Sequence, residues 1–165
     1  MLTARRIESL IDVRRFPGSR RHPQFSREAL AASLAASAID YCHEADLGGR
    51  RKPRPDSPHQ AWRVTAFRAY ADYMETREFK AAFARLLTEV ERRTTVIMCA
   101  EAVPWRCHRR LISDAAVARS VPVAHILAPE RLTEHALDAN AQLLENGDLL
   151  YAGPGTPLPL FTTPD

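Results

Sequence analysis

"TTVIMCAEAVPWRCHRRLISD", residues 94–114, decides the reading of this chain. It joins an apolar run to a loop and then to a helix. Thr94–Met98 is β-branched and apolar enough for a strand covered on both faces. Ala100–Arg106 is a loop carrying Pro104 and Trp105. A helix begins near Cys107 and stops before Pro122. Arg106, His108, Arg109 and Arg110 crowd that helix start. The backbone there already presents unpaired N–H groups and the positive end of a dipole, so each added cation costs roughly 0.3–1 kcal/mol. A bound anion reverses the sign, because the N–H groups, the dipole and the guanidiniums then all favour it. A local violation of this kind marks a functional site. The stretch therefore reads as an anion pocket beside the Cys99 thiol, which the strand presents at its exit.

Outward from this unit, strands and helices alternate. "SLIDVRR", Ser9–Arg15, is a strand followed by a loop at "PGSRR". "SREALAASLAAS" is a helix capped by Ser26. "AIDYCH" is a second strand and "EADLGGRRKPRPDSPHQ" a loop. "VTAFRAYADYMET" is a helix. "REFKAAFARLLTEVERR" is another, with Phe79, Phe83, Leu86, Leu87 and Val90 on one stripe. "PVAHIL" is a fourth strand. "APERLTEHALDANAQLL" stays ambiguous, and "GDLLY" is an edge strand or an extended segment. Such alternation predicts an α/β fold: a mostly parallel sheet flanked by helices in three layers. The boundaries are one domain over residues 1–151 and a Pro-rich coil tail over 152–165.

The bulk properties agree with one domain and exclude several classes. The chain has 165 residues, 45% hydrophobic and 26% charged. No apolar run approaches a membrane span. "MLTARRIESL" carries no export signal, and three cysteines make an odd number, so thiols in a cytoplasmic setting are expected. The net charge is +3, short of a dedicated nucleic-acid binder. It is uneven, however. Residues 1–60 hold 11 Lys/Arg against 7 Asp/Glu, and residues 120–165 hold one Arg against 6 Asp/Glu. A basic front suits an anionic ligand.

In open parallel sheets, ligands bind beyond the carboxyl ends of the strands. The residues expected to converge there are Asp12, Arg14, Tyr41, His43, Cys99, Glu101 and His125. Arg14, Arg106, Arg109 and His108 are assigned to the anion. Arg20 of "RRFPGSRR" and Arg50 of "GGRRKPRP" are assigned to the rim. Asp12 or Glu101 is the general acid or base, and Cys99 is the nucleophile or a pocket wall. Each has a plainer use: Cys99 as a small core residue, Glu101 as an ion-pair partner, His108 and Arg110 as solvated surface. Cys99, Cys107 and His108, with His43 or His125, have the chemistry of metal ligands. Their spacing matches no common zinc pattern, so no metal is expected and the cofactor stays unknown.

The segments "IDVRRFPGSRRHPQFS", "LGGRRKPR", "FRAYADYMETREF" and "MCAEAVPWRCHRRLISD", followed by "HALDANAQ" and "GDLLY", occur in this order. Together they resemble the family called domain of unknown function 488, from about Ile7 to Tyr151. The resemblance implies a small cytoplasmic α/β protein and supplies no reaction. It also implies an additional first strand ending in Gly-His-Ser/Thr. No Gly-His pair occurs in this chain, so either the start lies too late or this strand is lacking, and an exposed sheet edge then offers a homodimer contact. The leading functional expectation is an enzyme, a hydrolase or transferase, on a phosphate-bearing or otherwise anionic small molecule such as a nucleotide. The alternatives are a nucleotide- or nucleic-acid-binding module without chemistry, and a thiol sensor or sulfurtransferase-like protein.

Overall fold

The centre of the fold is β1 (Ser9–Asp12), every residue of which is buried. The computed structural model describes residues 1–18 and 21–153. β1 runs parallel to β2 (Asp40–His43) on one side and to β3 (Thr95–Met98) on the other, giving the order β2-β1-β3. Strand side chains alternate between faces. Leu10 therefore packs against Leu30 and Leu34 of α1 (Arg27–Ala35), while Ile11 joins a larger core on the opposite face. That core gathers Tyr70 of α2 (Thr65–Met74), Phe79, Phe83 and Leu86 of α3 (Arg77–Arg92), and Leu111 and Ile112 of α4 (Arg109–Val117). The expected α/β architecture, a parallel sheet with helices on both faces, is what forms.

The caps follow the sequence. The Ala29 N–H donates to Ser26 Oγ at 3.3 Å, and the Phe79 N–H donates to Thr76 Oγ1 at 3.3 Å. Each satisfies one of the donors a helix start leaves free.

Two expectations need correction. β3 is not the most buried strand. It is an edge, half-exposed throughout, and among the described residues no strand pairs with its outer side. An apolar groove of about 590 Å³ lies there, lined by β3, α4 and the segment 121–127. "PVAHIL" does not enter the parallel sheet either. β4 (Ala124–Ala128) turns back at Pro129-Glu130 and pairs antiparallel with β5 (Arg131–Glu134). A tight turn lets neighbouring strands pair at once, whereas a parallel partner needs a long crossover.

The ambiguous stretch resolves into β5 and β6 (Ala141–Leu143), and "GDLLY" into β7 (Leu149–Tyr151), antiparallel to β6. β7 is fully buried. Buried Asp114 of α4 ties this half of the molecule down. It accepts from Tyr151 Oη at 2.9 Å and from the Asp138 N–H at 3.0 Å, and it meets His135 Nε2 at 2.8 Å. Among the described residues no helix is long and apolar enough to cross a membrane. The proline-rich tail and Arg20 fall almost wholly, and wholly, outside the described residues.

Candidate functional site

A cavity of about 440 Å³ opens beyond the carboxyl ends of β1 and β3. Its walls come from four stretches: Arg14–Gly18 after β1, Gly49–Arg50 after β2, Ala66–Tyr70 of α2, and Cys99–His108 between β3 and α4. These are the strand exits that the sequence pointed to.

Three guanidiniums stand at the rim, that of Arg15 over the Phe16 ring at 5.9 Å. Arg15, Arg50 and Arg106 are exposed, and none has a carboxylate within ion-pair distance among the described residues. Arg50 is held toward the opening by a left-handed backbone, φ +59°, an uncommon conformation for a residue with a Cβ. Glu101, also exposed, shares the wall, and its carboxylate pairs with no arginine among the described residues. Phe16 is 65% exposed beside it.

Behind the rim sits a buried pair. Arg14 donates through Nε and Nη2 to Asp12, at 2.8 and 2.5 Å, and through Nη1 to the Phe25 carbonyl at 2.8 Å. Tyr41 Oη donates to Asp12 Oδ2 at 2.7 Å. Burial opposes the charge on Asp12, but Arg14 and Tyr41 together hold its carboxyl below the usual range. Burial first, and then the neighbouring carboxylate, push Tyr41 up to about 12. His43 Nε2 meets the Arg14 carbonyl at 2.8 Å. Asp12 is fully buried, it lies off the cavity wall, and both its oxygens are engaged. It positions Arg14, whose guanidinium is itself largely spoken for.

The floor is a cluster of two sulfurs and an imidazole. Cys99, Cys107 and His108 bring one donor atom each within 4.8 Å of one another. His108 Nδ1 is 3.7 Å from Cys107 Sγ and 4.0 Å from Cys99 Sγ. The His108 ring lies against Tyr70, centroids 4.9 Å apart, and its Nε2 is buried without a hydrogen-bond partner among the described residues. A Cβ on Gly49 would stand 2.9 Å from Nδ1, so only glycine lets this ring sit where it does.

The crowding of cations at the start of α4 has an internal explanation. Cys107 Sγ sits over the helix end, accepting from the Arg109 N–H at 3.5 Å and from Arg109 Nε at 3.3 Å. Arg110 N–H and Leu111 N–H are satisfied by the carbonyls of Cys107 and His108. The expectation that free N–H groups and Arg109 would grip a ligand is corrected: the helix end holds a sulfur of the chain itself. Arg109 also donates to the Glu101 carbonyl and faces away from the cavity. A hydrogen bond from the Cys99 thiol, helped by Arg109, lowers the Cys107 pKa, and the same bond raises that of Cys99. The two thiols titrate as a coupled pair in which the anionic form is favoured at Cys107.

Of the expected site residues, Arg14, Arg50, Cys99, Glu101, Arg106 and His108 line one cavity. Asp12 and Arg109 stand just behind it. His125 points elsewhere, its Nε2 2.9 Å from His135 Nδ1. Arg110 is taken by Asp138 at 2.5 Å. The sequence reading missed the central place of Cys107 and the need for Gly49. A cysteine directly before the first turn of an arginine-rich helix was the available signal.

Fold and site together define an α/β protein with an arginine-rimmed, thiol-floored cavity at the carboxyl edge of its sheet. The family described as domain of unknown function DUF488 matches residues 1–116, and the chain belongs to that family. No curated protein and no solved structure matches the chain.

Proposed function

We propose that this protein is an enzyme, a hydrolase or transferase, acting on a phosphate-bearing or otherwise anionic small molecule. The observation that carries this reading is the placement of three unpaired guanidiniums, Arg15, Arg50 and Arg106, around a cavity whose floor is Cys99, Cys107 and His108. Arginines without carboxylate partners that converge on a concavity favour phosphate and carboxylate groups, to which the planar guanidinium donates bidentately. The volume falls within the range of small-molecule pockets. Exposed Phe16 offers an aromatic face for a base, so a nucleotide fits the chemistry well.

Substrate charge is held at the rim, and the reacting group is directed to the floor. Glu101 is the carboxylate placed to carry a proton there. Cys42, Cys99 and Cys107 are free thiols, which suits a reducing, cytoplasmic setting. The nucleic-acid alternative loses support from the fate of the basic run 50–54. Arg51 lies over the Tyr73 ring at 3.4 Å, and Arg54 pairs with Glu75 at 2.9 Å, so no continuous cationic strip remains.

The test is turnover of a panel of nucleoside mono-, di- and triphosphates, sugar phosphates and p-nitrophenyl phosphate. Arg106→Ala and Cys107→Ala should each lower the rate on an accepted substrate by about 100-fold, on the scale of losing one oriented stabilising group. Turnover that survives both changes refutes the assignment.

A further inference from the structure

We propose that Cys99, Cys107 and His108 bind a thiophilic divalent cation of the zinc type, with one coordination position open toward the arginine-lined cavity. Four observations support it. The donor set is two sulfurs and one imidazole nitrogen, a combination that suits zinc among the common biological divalent ions. The spacing is right. A tetrahedral ion with Zn–S of about 2.3 Å and Zn–N of about 2.0–2.1 Å sets sulfur and nitrogen about 3.6 Å apart. The observed separations are 3.7 and 4.0 Å, so a shift of a few tenths of an ångström completes the geometry.

The imidazole, third, lacks a strong partner at either nitrogen among the described residues. There Nδ1 has only the two sulfurs at those distances, and Nε2 is buried with none. The half-buried ring thus presents an Nδ1 with only weak sulfur partners, which an ion there would engage. Gly49, lacking a Cβ, places no side chain of its own against Nδ1. The outer shell is in place, fourth: Arg109 donates two N–H bonds to Cys107 Sγ, at 3.5 and 3.3 Å. Such bonds orient a ligand and tune its donor strength.

Three protein ligands with a vacancy facing a cavity is the arrangement of catalytic rather than structural zinc. All three residues line the cavity that the guanidiniums rim. An anionic oxygen could therefore take the fourth position while the arginines hold the rest of the molecule, and the ion would act as a Lewis acid. That role rests on the function proposed above, whereas binding of the ion does not.

The test uses the full chain, purified without metal-affinity resin, kept reduced with a phosphine, stripped with chelator and dialysed. Titration with Co²⁺, and with Zn²⁺ in competition, should show one equivalent bound and sulfur-to-cobalt charge-transfer absorption. Cys107→Ser and His108→Ala should each weaken the site by at least about tenfold. Circular dichroism checks their folding. Should either variant unfold, Gly49→Ala, which crowds Nδ1 without removing a donor, gives the same readout. Absence of stoichiometric binding, or cobalt spectra without sulfur charge transfer, overturns the proposal. So does full affinity in a Cys99→Ala/Cys107→Ala double variant. Anion binding by the metal-free protein is measured in parallel: its loss with the cation retained would sink the function and spare this site, and the reverse result would do the opposite.

Discussion

Replacing Gly49 with alanine tests how the site is held together. The new Cβ would stand 2.9 Å from His108 Nδ1 and 3.3 Å from its Cγ. Ordinary contact begins near 3.4 Å, so the ring must retreat by about 0.5 Å at Nδ1, on the scale of contact distances between carbon atoms. It cannot do so freely, because Tyr70 packs on it with centroids 4.9 Å apart. Metal–ligand distances tolerate about 0.2 Å, so the retreat exceeds what a bound ion accepts. Affinity for Co²⁺ or Zn²⁺ should fall by about 10–100-fold.

Stability is expected to change by no more than the same order. Overpacking costs roughly 1–3 kcal/mol. Gly49 is not in the left-handed region, so alanine adopts its backbone and recovers about 0.4–1 kcal/mol through the unfolded chain. Metal titration and urea unfolding of the same preparation separate the two effects. Metal affinity within twofold of the parent would refute the reasoning, because it would mean that His108 is either mobile or no ligand.

Two further predictions concern the frame around the site. Asp12→Asn leaves Arg14 buried without its partner and should destabilise by about 3–5 kcal/mol in urea at neutral pH. The carboxyl is held below its unfolded value of about 3.9, so its contribution is complete above that pH and is lost as pH falls through the lower folded value. The variant's acid limb should accordingly be flatter than the parent's below about pH 4, and parallel limbs would contradict the pairing. Tyr151→Phe removes the hydroxyl that donates to buried Asp114 at 2.9 Å, and should cost about 1.5–3 kcal/mol. An unchanged urea midpoint would show that this bond does not fasten β7 to α4.

The parts of the fold written in local pattern were readable from the chain. The Phe79–Leu86 stripe of α3, the Ser26 cap of α1 and the three parallel strands all appear where periodicity put them. β4 misled because an apolar run looks the same whether it joins a parallel sheet or folds into a hairpin. The Pro129-Glu130 turn carries no glycine or asparagine to announce it. The burial of β3 was overread for a related reason: composition shows that a strand can be covered, not that a neighbour covers it.

At the site, six wall residues were legible because strand exits converge in a parallel sheet. The engagement of Asp12 was not legible because it depends on Arg14 and Tyr41, and Tyr41 lies 29 positions away in the chain. The cations before Leu111 raised the right question, but a sulfur two residues upstream of the first helical N–H was the nearer answer for Arg109. Only the three-dimensional arrangement shows that Arg15, Arg50 and Arg106 have no carboxylate partner among the described residues.

The claim that matters most is that those three guanidiniums bind an anion. Isothermal titration of the full chain with inorganic pyrophosphate at low ionic strength tests it most directly. Saturable binding is expected, weakening as salt rises and falling by at least about tenfold in both Arg50→Ala and Arg106→Ala. No binding at low salt, or equal affinity in the parent and both variants, would contradict the account.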